Sequence, residues 1–133
     1  MPYRTTVADV PLETGLAREE GWVDMQVQFL IDARRGRSDR LVVGRTVLRP
    51  GARHERHRHP HADEFLVVMT GRGEVYTDTG REPSEAGDVL FTPRGHWHGF
   101  DNTGEDDVLL IWGWSGASSL AAAGYELSEE PDR

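Results

Sequence analysis

GARHERHRHPHADEFLVVMTG, residues 51–71, holds four of the chain's six histidines, His54, His57, His59 and His61. His57 and His59 are two apart, so on an extended strand both imidazoles project from the same face. Neutral imidazole is the commonest side-chain ligand for Zn, Fe, Ni and Cu, which makes that face a natural start for a metal site. Glu64 stands just before the apolar run Phe65-Leu66-Val67-Val68-Met69. A carboxylate there is costly to bury unless a cation or hydrogen bonds compensate it.

The remaining two histidines, His96 and His98, lie in a second segment, GDVLFTPRGHWHGFDN, residues 87–102. Together the two segments resemble the cupin motifs. Gly51-x5-His57-x-His59-x4-Glu64-x6-Gly71 is similar to the first motif, and Gly87-x5-Pro93-x-Gly95-x2-His98-x3-Asn102 to the second. The short stretch between Gly71 and Gly87 suits compact bacterial members. The resemblance implies an all-β fold, a jelly-roll barrel of six or more strands with a metal ion inside its mouth. It makes His57, His59, Glu64 and His98 the ligands of one divalent ion, Fe, Mn, Zn or Ni. Gly51, Gly71, Gly87 and Gly95 become turn residues, and Asn102 a residue that holds a turn through its amide.

Outward from the motifs, the texture agrees with many short strands. Met25, Val27, Phe29 and Ile31 keep close to the two-residue period of a half-buried strand, and Leu41 to Leu48 forms another, closed by Pro50-Gly51. The runs Phe65–Met69 and Val108–Trp112 are apolar at every position, which predicts strands buried on both faces. Asp78-Thr79-Gly80 has hairpin chemistry. Only Ser118 to Ala123, stopped by Gly124, reads as a short C-terminal helical turn. Residues 1–21 are polar and unpatterned and read as an arm; residues 22–133 form a single barrel domain.

Composition narrows the chemistry. The 133 residues suit one domain, with 37% hydrophobic and 29% charged residues. Cysteine is absent and all 15 basic side chains are arginine, which removes thiolate and lysine Schiff-base chemistry. A net charge of −8 argues against nucleic acid or an anionic membrane as partner. With no long apolar run and no secretory leader, a cytoplasmic protein is expected.

Around the four ligands, His61 follows Pro60 and is read as a loop or rim residue, His54 as exposed loop, and His96 as a pocket or rim residue. Tyr76 and Trp97 are candidate pocket walls. His96, His61 and Tyr76 are the candidate catalytic side chains, since Glu64 is committed to the ion. Arg45 and Arg49 share a strand face; if it is inward, an arginine clamps a substrate carboxylate, and if outward, Thr46 and Leu48 line the pocket. Three imidazoles and a carboxylate leave about two octahedral positions open. The expected function is a metalloenzyme acting on a small-molecule metabolite, first as an Fe(II)-type dioxygenase. The alternative is a non-redox isomerase, lyase, cyclase or decarboxylase, and the third reading a non-catalytic ligand-binding cupin. An apolar strand at the end of so small a barrel points to a homodimer that covers exposed edges.

Overall fold

A computed structural model describes residues 2–133. Alternation sets the strand β3, Leu41–Leu48, where Val42, Gly44, Thr46 and Leu48 are buried while Leu41, Val43, Arg45 and Val47 face outward. The other strands are β1 (Trp22–Val23), β2 (Gln26–Ile31), β4 (Arg53–Arg58), β5 (Asp63–Thr70) and β6 (Arg72–Tyr76). They continue through β7 (Arg81–Glu85), β8 (Val89–Thr92), β9 (His98–Asp101), β10 (Val108–Ser115) and β11 (Glu126–Leu127). One helical turn, α1 (Leu120–Ala123), is capped by Ser119 Oγ accepting from Ala122 N and stops at Gly124.

Two antiparallel sheets face each other. One runs β1-β4-β9-β6-β7, with β11 also on β4; the other runs β2-β3-β10-β5-β8. Their inner faces meet in a core that includes Phe29, Leu48, Phe100, Val108, Trp112 and Trp114. Trp112 lies directly over Gly44, whose absent side chain makes the room; a β-carbon there would sit 2.1 Å from the indole. Asn102 is buried and donates to Leu48 O and Asp106 O, both at 2.8 Å, while its Oδ1 accepts from Gly104 N. The amide thus stitches the turn after β9 to the end of β3, as the motif implies. No helix among the described residues is long and apolar enough to cross a membrane.

The apolar runs are not buried on both faces. Val68 is buried, but Met69 is 50% exposed, and on the neighbouring strand Val89 and Phe91 are 72% and 66% exposed. Phe65 pairs with Phe91 and Val67 with Val89, so these side chains form one apolar strip on the outside of the five-stranded sheet. Among the described residues Met69, Val89 and Phe91 on that face stay exposed. The period-two signal is lost because both faces are apolar, not because both are buried.

Candidate metal centre

β4 and the link after it deliver His57 and His59, β5 delivers Glu64 from the opposite sheet, and β9 opens on His98. One ligand atom from each of the four lies within 4.8 Å of all the others. His57 and His59 are 1% exposed, Glu64 and His98 8%. Each imidazole is turned by a backbone carbonyl at Nδ1: Glu55 O at 2.6 Å for His57, Gly124 O at 2.7 Å for His59, and His96 O at 3.2 Å for His98. A carbonyl can only accept, so Nδ1 carries the proton and Nε2 keeps its lone pair. All three Nε2 atoms are buried without a hydrogen-bond partner. Three lone pairs and a carboxylate converging in a buried space fit a divalent cation.

Electrostatics agree. Burial works against the Glu64 carboxylate, yet His98 and His59 beside it hold its carboxyl well below the usual range. Glu64 Oε2 is 3.0 Å from His98 Nε2 and Oε1 is 3.6 Å from His59 Nε2. Burial, reinforced by neighbouring histidines, pushes His57 well below the ordinary imidazole value. For His98 burial is outweighed by Glu64, which raises it. The field that favours a proton on His98 also favours a cation among the four donors. Trp114 Nε1 donates to Glu64 Oε1 at 2.9 Å and fixes that carboxylate.

Two spaces meet at these residues. An inner cavity of about 40 Å³ is walled by Trp22, Phe100, Trp112 and Trp114. An outer cleft of about 220 Å³ shares Glu64, Leu66, His98 and Gly99 with it and opens past Phe91, Pro93 and Trp97. At about 10–15 Å³ per water-sized group, the inner cavity holds an ion and one or two small ligands.

His54 is not in an exposed loop. Its ring stacks on His57 with centroids 3.6 Å apart, lies 4.0 Å from the ring centroid of Trp22 and borders the inner cavity. Its Nε2 meets Tyr125 Oη at 3.1 Å, and Tyr125 in turn donates to Glu20 O. Because that hydroxyl proton is committed, His54 contributes the N–H of the pair. An extra residue in β4 opposite β9 brings His54 and His57 to one face although they are three apart. Nothing in the sequence marks that bulge.

The other candidates separate. His96 borders the outer cleft with Nδ1 3.0 Å from Asp78 Oδ2, and Trp97 beside it is a cleft wall. His61 is exposed in the turn between β4 and β5 and borders neither space. Tyr76 contributes to the cleft margin, but its ring sits between the guanidinium groups of Arg56 and Arg81, and its buried hydroxyl has no partner. Arg45 faces outward and donates to Gln28 Oε1, so Thr46 lines the cavity, its hydroxyl accepting from Trp112 Nε1.

The family model described as the cupin domain matches residues 44–114, more than half of the chain. The chain belongs to the cupin family. Among curated relatives, this cupin is 32% identical over 89 residues to polyketide synthase CurC of Streptomyces cyaneus, covering 67% of this chain and 58% of that one. It is 37% identical over 68 residues to an oxalate-binding protein of Thermotoga maritima, covering 50% of this chain and 55% of the other. The cupin thus spans less than two thirds of the length of the curated relatives it matches. In fold it is similar to the polyketide cyclase RemF from Streptomyces resistomycificus, with a TM-score of 0.76 at 24% identity over 98% of this chain and 90% of that one.

Proposed function

We propose that this cupin is a mononuclear metal-dependent enzyme acting on a small molecule that chelates the ion. The observation that carries the reading is the trio of buried, unpartnered Nε2 atoms turned toward one carboxylate. His57, His59, Glu64 and His98 would hold the ion, which supplies Lewis-acid polarisation of a substrate oxygen or, as iron, redox chemistry. The chain's other residues orient and dry the site. Trp114 fixes Glu64, Gly124 O fixes His59, and the indole walls exclude water. Of the expected acid–base candidates, His96 has the best placement: Asp78 holds its Nδ1, which leaves Nε2 to take or give a proton at the cleft.

A non-redox reaction of cyclase or isomerase type is the first reading, favoured by the relative named a polyketide synthase. The dioxygenase reading is favoured by a four-donor set that leaves about two positions for substrate and O₂. Elemental analysis of protein purified without added metal should find one divalent ion per chain. Finding none, and no gain in melting temperature with Mn, Fe, Zn or Ni, would sink the metal reading. Turnover of β-diketone substrates that persists without oxygen in the Zn or Mn form supports the first chemistry; strict O₂ consumption with Fe(II) supports the second.

The same reading includes a homodimer. β8 is an edge strand whose outward Val89 and Phe91 continue the apolar strip of β5, and a second copy about a two-fold axis would cover both strips at once. Light scattering should give the dimer mass for the natural chain and the monomer mass for Phe91→Arg; a natural chain that is monomeric at high concentration removes the dimer.

A further inference from the structure

Arginine is the chain's only strongly basic side chain, and none of the 15, all among the described residues, borders the inner cavity or the outer cleft. The arginines around the mouth are directed elsewhere. Arg58 lies over the Trp97 ring at 4.5 Å and pairs with Glu126 at 2.6 Å. Arg56 donates to the carbonyls of Thr77, Gly80 and Glu130, Arg81 to Asp101, and Arg94 turns toward Asp63. The charged groups that do border the cleft are acidic, Glu64, Asp78 and Glu82, with His96 held by Asp78.

Inside, the indole donors of Trp112 and Trp114 are already used, on Thr46 and on Glu64. A bound anion would therefore find no guanidinium fork, the usual partner for carboxylate and phosphate. It would lose its hydration against apolar walls and acidic neighbours. Charge balance points the same way. A divalent ion and the Glu64 carboxylate leave one net positive charge, which a ligand neutralises by giving up one proton to the buffer. A dianion would leave one negative charge in excess beside Asp78 and Glu82. The inner cavity admits only the chelating atoms, so the ligand's body lies in the larger cleft, against Leu90, Pro93 and Trp97.

We propose that the site selects an uncharged, flat, aromatic-bodied ligand that chelates through two adjacent oxygens as a monoanion, and rejects small dianions such as dicarboxylates and phosphate monoesters. The inference rests on the metal reading above and adds the substrate class. It sets this chain apart from its oxalate-binding relative, whose match is confined to half of the chain.

Calorimetric titration of the zinc-loaded full chain with tropolone and with oxalate tests it, at a pH where tropolone is largely protonated. Tropolone should bind at least about tenfold more tightly than oxalate, the effect of one uncompensated charge. Glu82→Arg, which places a cation at the cleft, should shift the tropolone-to-oxalate affinity ratio by about tenfold toward oxalate. Oxalate binding the natural chain as tightly as tropolone, neither ligand binding the zinc form, or a ratio unmoved by Glu82→Arg would each overturn the proposal alone. Failure of the chain to take up zinc at all overturns the metal reading and this proposal with it.

Discussion

Trp114 Nε1 donates to Glu64 Oε1 at 2.9 Å inside the barrel, so one oxygen of the carboxylate is positioned before any cation arrives. Supporting hydrogen bonds of this kind typically change metal affinity by about 10–100-fold. Trp114→Phe keeps an aromatic ring beside Phe29 and His59 but deletes the donor. Zinc affinity measured by chelator competition should fall about tenfold, with the fold intact by circular dichroism. His98→Ala should lose far more, because a donor atom itself is gone. At this scale the sequence was generous with the motif residues and silent on their supports. His57, His59, Glu64 and His98 meet because a motif spacing encodes the meeting. His54 and Trp114 reach the site through a bulge and through the pairing of Trp114 with Glu64 across β10 and β5, and neither is a local pattern.

β3 shows how much of an element local pattern can specify. Leu41 to Leu48 alternates cleanly and its bounds were legible, but the need for Gly44 was not, since it comes from Trp112 on the paired strand. Gly44→Ala should cost about 1–3 kcal/mol in urea unfolding, because the β-carbon meets a rigid buried indole. The turn after β2 carries a pH-dependent contribution. Asp32 is buried, which disfavours its charge, but the Arg34 side chain and the backbone N–H groups of Arg35 and Arg34 outweigh burial and lower its pKa. A lowered folded-state value means the stabilisation is complete above the unfolded value of about 3.9 and is lost as pH falls through the folded value. Asp32→Asn should therefore be less stable than the natural chain by about 1–2 kcal/mol at neutral pH, and the gap should close under acid. Urea midpoints of both chains across that range measure it. The apolar runs mark the opposite case: Phe65–Met69 was legible as a strand, while its outward side chains are apolar without being buried.

The four donors do not come from one sheet. His57 and His98 belong to the six-stranded sheet and Glu64 to the five-stranded one, with His59 in the link between them. A cation bound by all four would fasten the two halves of the barrel at its core, and its binding free energy would count toward folding, because the unfolded chain has no assembled site. With free metal at about a hundred times the dissociation constant, the gain is about 2.7 kcal/mol. For a domain of this size that is roughly a 10 °C rise in melting temperature over the chelator-treated protein. Glu64→Gln separates fastening from mere burial. The variant loses the one donor supplied by the five-stranded sheet, so its melting temperature should respond little to metal. Without metal it should melt below the metal-free natural chain at neutral pH, since the lowered value of the Glu64 carboxyl marks a carboxylate that His98 and His59 stabilise in the fold. A natural chain that binds one ion yet melts at the same temperature with and without it would show that the ion does not fasten the sheets, whatever reaction it serves.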